Sequence, residues 1–206
     1  MVMQDIETGS LWSQVSGEAI AGPLKGRRLD LFPSSMTTYE QFKQTYPRGL
    51  LLKKPIRGLP NSSYYEYFTD RTKLGIFGRV DKFRRLKGKE LVIGVRIDDR
   101  QAAVTEKVLK KKGYARLDKL SPQVVVTYDE PSLTISAFSL AELTKDQIDD
   151  LQLKDGQLFI KDSDISWDAV TGQLQSGQGK DLMAVPFTTV YWFAWTSFFP
   201  DTDLSK

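Results

Sequence analysis

Gln123-Val-Val-Val-Thr-Tyr128, Asp129-Glu-Pro131 and Leu133-Thr-Ile-Ser-Ala-Phe138 follow one another in the middle of the chain. Three consecutive valines flanked by polar residues read as a buried strand, because β-branched side chains fit a pleated surface. The acidic, proline-containing segment turns that strand into the next one. Working outward, Leu91-Val-Ile-Gly-Val-Arg-Ile97 reads as a strand, Asp98-Asp99-Arg100 as a turn and Ala102-Ala-Val104 as a second strand. Residues 106–112 form a short basic helix that Gly113 ends. Asp155-Gly156 turns the chain into Gln157-Leu-Phe-Ile160. Many short strands with few short helices predict a β-rich α+β fold.

Both flanks of this region carry one motif block. Asp5-Ile-Glu-Thr-Gly-Ser10-Leu-Trp12-Ser-Gln-Val15-Ser16-Gly17 is matched by Asp162-Ser-Asp-Ile-Ser166-Trp167-Asp-Ala-Val170-Thr171-Gly172. Trp, Val, Ser/Thr and Gly keep a constant offset of 155. Gly26-Arg-Arg-Leu29 leads to Pro33 as Gly179-Lys-Asp-Leu182 leads to Pro186, seven positions from Gly to Pro in each. A second proline stands 14 positions on, Pro47 and Pro200, and Tyr39, Phe42 and Tyr46 align with Trp192, Trp195 and Phe199. Glycine after each tryptophan predicts a turn with positive φ. Leu29 and Leu182 are expected to begin short terminal strands that end at proline. Thr38-Tyr-Glu-Gln41 has capping-box spacing, so a helix is expected over 39–46. Its counterpart, 191–199, is far more apolar and is expected to be buried between the two copies. The internal pseudo-repeat divides the chain into 1–54 (second half of a first unit), 55–89 (connecting segment) and 90–206 (a complete second unit) within one compact globule.

Composition excludes much chemistry. The 206 residues include no cysteine and no histidine. Disulfides, thiolate nucleophiles, Cys-ligated metals, serine–histidine triads and HExxH zinc sites are therefore absent from this chain. Hydrophobic residues make up 40% and charged residues 27%, as in an ordinary soluble domain. The net charge of +3 is too small to name a partner. The most apolar stretch, 185–200, is interrupted by Pro186 and four hydroxyl residues and falls short of the roughly 20 residues of a membrane span. Met1-Val-Met-Gln-Asp-Ile-Glu has no export-signal pattern.

The block Asp5-Ile-Glu-Thr-Gly-Ser-Leu-Trp-Ser-Gln-Val-Ser-Gly-Glu-Ala-Ile-Ala-Gly-Pro-Leu-Lys-Gly resembles the signature of the prokaryotic domain of unknown function 3179 family. Lys87-Gly-Lys-Glu-Leu-Val-Ile-Gly-Val95 and Gln123-Val-Val-Val-Thr-Tyr128 are similar to further segments of it. The family's strand leads into Thr-Tyr-Cys-Pro-Leu-Cys, whereas here Asp129-Glu-Pro follows Thr127-Tyr128. The resemblance implies a further half unit, with the cysteine motif, upstream of the point matching Asp5. It also implies a bacterial source and a periplasmic or extracellular setting, but no activity.

Several residues are candidate ligand sites. Trp12 and Trp167 could offer ring faces to sugars or bases, although recurrence at one internal position favours core packing. Tyr64, Tyr65 and Tyr67, in Asn61-Ser-Ser-Tyr-Tyr-Glu-Tyr67, could line a groove or clasp a unit junction. Arg79, Lys82, Arg84, Arg85, Lys87 and Lys89 with Lys107, Lys110, Lys111 and Lys112 could track phosphates, but no nucleic-acid motif accompanies them and nucleic acid is not an expected partner. Asp162, Asp164 and Asp168 invite a calcium reading, yet the EF-hand glycine and glutamate are missing and turn capping explains them better. The glycines of 17–26 and 172–179 match neither GxGxxG nor a P-loop. No catalytic residue, metal or cofactor is assigned. The inventory argues against an enzyme and for a non-catalytic binding or structural domain. The alternative is an inactive portion of a metal-binding or thiol redox protein with its cysteines upstream. No partner is assigned; a third, weaker option is that a unit beginning partway leaves a sheet edge open, through which a homo-oligomer could form.

Overall fold

The computed structural model describes residues 2–52, 67, 69–75 and 85–205. Three short strands open the chain: β1 (Val2–Gln4), β2 (Leu11–Ser13) and β3 (Ala19–Ala21), followed by α1 (Tyr39–Thr45). After the connecting segment come β4 (Leu91–Ile97), β5 (Arg100–Thr105), α2 (Glu106–Lys112), β6 (Tyr114–Leu117), β7 (Val124–Asp129) and β8 (Thr134–Ser139). Then follow α3 (Lys145–Asp149), β9 (Leu151–Lys154), β10 (Gln157–Ile160), β11 (Ser166–Asp168), β12 (Leu174–Ser176), β13 (Phe187–Tyr191), α4 (Trp192–Thr196) and β14 (Asp203–Ser205). The fold is β-rich α+β. Among the described residues, four small sheets run β1-β2-β3, β12-β11-β10-β9, β13-β4-β5-β14 and β6-β7-β8. Every named pairing is antiparallel except that of β14 with β5.

The apolar runs that looked like buried strands are buried on both faces, which is why they lack polar alternation. On β7, Val124 and Val126 join one core with Ile93, Val95, Ala102 and Val104 of β4 and β5. Val125 points the other way, into a second core with Phe138, Leu158, Trp167 and Leu182. Val92 and Ala103, on the outer face of β4 and β5, meet Trp192 and Trp195 of α4 in a third. The period of two along a strand thus distributes one valine run between two layers.

Local signals act where expected. Thr38 caps α1, its hydroxyl accepting from the Gln41 amide at 3.2 Å. Gly113 ends α2 at φ 78°. Asp155 and Gly156, at φ 50° and 76°, make the primed hairpin turn between β9 and β10. The helix α3, with a full Thr144–Gln147 capping box, was not expected, although Thr144-Lys-Asp-Gln147 carries the spacing. Leu29 and Leu182 begin no strand. Their amides are taken by the Gly17 and Gly172 carbonyls (2.9 and 2.8 Å), and only single bridges form nearby, Glu18 with Arg28 and Phe138 with Ala184. α4 is buried by its own sheet rather than between the flanking blocks, although Val15, Leu31 and Phe32 line a crevice with Trp195 and Phe199.

The sheets β1-β2-β3 and β10-β11-β12 have the same pairing. Val2, Met3 and Gln4 face Ser13, Trp12 and Leu11, while Gln157, Leu158 and Phe159 face Asp168, Trp167 and Ser166. Both have a register shift just before the tryptophan, at Leu11/Trp12 and Ser166/Trp167. Gly17 and Gly172 have φ of 66° and 73°. Burial differs, however. Met3 is 40% exposed where Leu158 is fully buried, and Tyr39 is 59% exposed where Trp192 is 1%. No residue of α1 is buried.

Candidate functional site

A cleft of about 380 Å³ lies between α1 and the edge of β8. Its geometry follows from local rules. Thr38 ends an extended segment and starts α1, which projects Phe42 and Tyr46 from one helix face, their centroids 5.9 Å apart. The Thr38 amide donates to the Ser132 carbonyl (3.3 Å), and the Thr134 hydroxyl donates to Thr37 Oγ1 (2.7 Å). These bonds tether the segment to β8. On β8, alternation brings Thr134, Ser136 and Phe138 to one face. Ser136 Oγ donates to the Val170 carbonyl at 2.8 Å, and Ser132 and Thr134 share a hydroxyl bond at 2.7 Å. Asp129 accepts from the Ser132 amide and hydroxyl at the end of β7. Ser34, Ser35, Thr171 and Phe187 complete the walls, and no charged side chain lines the cleft. On the other side of residues 34–36 lies a wider groove of about 810 Å³, where Glu106, Lys110 and Tyr128 are found.

The residues singled out in the sequence do not converge on this cleft. Trp12 is buried beneath a shallow recess that Met3, Asp5, Glu7 and Leu29 share, and its indole N–H donates to Asp5 Oδ2 at 2.9 Å. Trp167 is 1% exposed inside the second core, its N–H bonded to the Lys180 carbonyl at 2.9 Å, so it has no open ring face. Tyr67 is half-buried; its hydroxyl accepts from the Gly75 amide, and Lys89 stands 3.7 Å over its ring. Tyr64 and Tyr65, like Arg79, Lys82 and Arg84, lie outside the described residues. Three of the other basic side chains bind their own chain. Arg85 donates to the Thr202 and Pro200 carbonyls and stacks on Trp192, Lys89 donates to the Tyr67 and Asp70 carbonyls, and Lys110 pairs with Glu106 at 3.1 Å. Sequence reasoning missed the hydroxyl face of β8. The signal was present in Leu133-Thr-Ile-Ser-Ala-Phe138, which alternates hydroxyl and apolar residues.

Electrostatically the cleft is quiet. Asp5 is held below the usual carboxylate range, first by the Trp12 N–H and then by the Thr8 amide. Asp70 is lowered by the Thr72 hydroxyl and amide, and Lys110 is raised by Glu106. Asp70 and Lys110 are exposed, Asp5 is half-buried, and none lines the cleft. Among the described residues no group of three acidic side chains could hold a metal ion. Asp168 instead accepts from the Val170 and Thr171 amides and the Thr171 hydroxyl. Among the described residues no helix is long and apolar enough to cross a membrane.

No curated protein and no solved structure matches the chain. The model of one family, described as a protein of unknown function (DUF3179), matches residues 1–202, and the chain belongs to that family.

Proposed function

We propose that this chain is a non-catalytic binding module that takes a small, neutral, hydroxyl-bearing ligand in the cleft between α1 and β8. The single observation that carries this reading is the lining. Phe42 and Tyr46 offer ring faces, the Thr134 and Ser136 hydroxyls, whose protons go to Thr37 and the Val170 carbonyl, offer acceptors, and no charged side chain is present. A charged ligand would have to shed water there without a counter-charge, which is costly. A neutral one could exchange hydrogen bonds with water at little loss while covering the aromatic rings. The volume is at the small end of ligand sites, about 300–1,000 Å³.

In this reading 1–54 and 90–206 are two units of one design joined by 55–89, and the ligand sits where a segment of the first unit crosses the second. The common pairing of β1-β2-β3 and β10-β11-β12 supports the duplication. A thermal-shift screen of the chain against neutral monosaccharides, disaccharides and polyols, followed by calorimetry, tests the proposal. A stabilising ligand is expected to lose its effect in Phe42→Ala, a variant that should melt near the parent because no residue of α1 is fully buried. Binding only of anions or cations, or unchanged binding in Phe42→Ala, would count against the cleft.

A further inference from the structure

We infer that Arg96 anchors a second binding site, for a small, flat, singly charged carboxylate, separate from the cleft of α1 and β8. The site is the crevice of about 190 Å³ where Leu31 and Phe32 meet the outer face of β4. Strand alternation puts Val92, Gly94 and Arg96 on that face. Val92 packs with Trp192, and the Trp195 ring fills the space that Gly94 leaves. At Arg96 this cover ends. Its guanidinium lies 5.8 Å from the centre of the Phe199 ring, and Phe32, Phe187 and Trp195 border the same space.

Two arginines among the described residues are half-buried, and their partners differ. Arg116 pairs with Asp118 and Asp149, each at 3.4 Å, and donates to the Ile148 carbonyl. Arg96 has no carboxylate partner among the described residues. It donates through Nη1 to the Ser16 carbonyl at 3.2 Å, and no acidic side chain lines the crevice. A guanidinium carries five N–H donors in a planar fork, and the donors left over match the two oxygens of a carboxylate. Apolar walls strengthen such a pair by keeping water from it. They also select what the carboxylate carries, because a flat ring can lie against Phe32 and Phe199. Phosphate would bring additional charge to a site with one cation, at a desolvation cost nothing there offsets. The volume is half that of the α1 cleft and below the range of about 300–1,000 Å³ for drug-sized ligands, which limits the occupant to about one ring.

Titration of the isotope-labelled intact chain with sodium benzoate, followed by NMR, tests this. Saturable shifts are expected at the Phe32, Gly94 and Phe199 amides and at the Arg96 Nε–H. Benzamide keeps the ring and loses the charge, whereas acetate keeps the charge and loses the ring. Each should bind about tenfold more weakly or worse. Arg96→Gln should weaken benzoate by about tenfold or more. Phe32→Ala, at a residue 83% exposed, should weaken it with the melting temperature unchanged. Phe42→Ala, in the α1 cleft, should leave benzoate binding as it is, so the two sites succeed or fail separately. If Arg96→Gln does not fold, the benzamide comparison and Phe32→Ala decide. Shifts that do not saturate, benzamide or acetate binding as tightly as benzoate, or benzoate binding that survives Arg96→Gln or Phe32→Ala each overturn the inference. So does benzoate binding that is lost in Phe42→Ala.

Discussion

Gly94→Ala offers a test of how the core is assembled. Gly94 lies in the middle of β4, between Ala103 of β5 and Thr188 of β13. A Cβ built there would stand 2.5 Å from Cη2 and Cζ3 of Trp195, against about 3.5–4.0 Å for ordinary carbon contacts. The ring would have to retreat by about 1 Å. It is poorly free to do so. Trp195 is buried, tilted on Phe199 at 4.6 Å between centroids, and its N–H donates to buried Thr202 Oγ1 at 2.8 Å. Overpacking of this kind costs about 1–3 kcal/mol, and stretching the buried indole bond adds about 1 kcal/mol. Alanine regains about 0.5–1 kcal/mol over glycine in a strand, and the backbone here has no positive φ to resist it. The net expectation is a loss of about 1–3.5 kcal/mol, read as a lower urea midpoint at unchanged slope. Trimming the ring in Gly94→Ala/Trp195→Phe should recover at least about 1 kcal/mol relative to additivity. A neutral or stabilising Gly94→Ala, or strict additivity in the double variant, would refute the packing of α4 against β4.

Trp167→Ala should cost about 3–5 kcal/mol in urea unfolding, since the ring fills the second core; Trp12→Ala, beneath a face where Met3 and Leu29 remain exposed, should cost less than half of that. The Asp5 carboxylate, held down by the Trp12 N–H, should keep its charge below the ordinary midpoint of about 3.9. Because its folded pKa is depressed, the stabilisation is present above that midpoint and disappears as pH falls through the folded value. The Trp12 indole N–H resonance should report the loss in an acid titration, and Asp5→Asn should abolish the transition. Thr144→Ala removes the hydroxyl half of the capping box on α3, leaving the backbone amide of residue 144 to donate to Gln147 Oε1, and should destabilise the chain by about 1 kcal/mol in thermal or urea unfolding.

The sequence by itself determined what depends on near neighbours. Three valines and their flanking turn residues specify β7, because a branched Cβ and a polar boundary act within a few residues. Thr38 and Gly113 specify helix ends through bonds to adjacent amides and through positive φ. The inventory likewise excludes thiol and imidazole chemistry outright. What only the tertiary structure decided is which of two equivalent residues is enclosed and what faces what. Trp12 and Trp167 sit in strands of matching register, yet one lies under an open recess and the other inside the second core. The two motif blocks themselves do not distinguish them, because burial of Trp167 is conferred by residues outside its block, on β7, β8, α3 and β9. The cleft is of the same kind: Phe42 and Tyr46 become its wall because Thr37 and Thr38 bond to a strand some ninety residues away. Local chemistry chooses the elements, and burial, which depends on the whole molecule, chooses their roles.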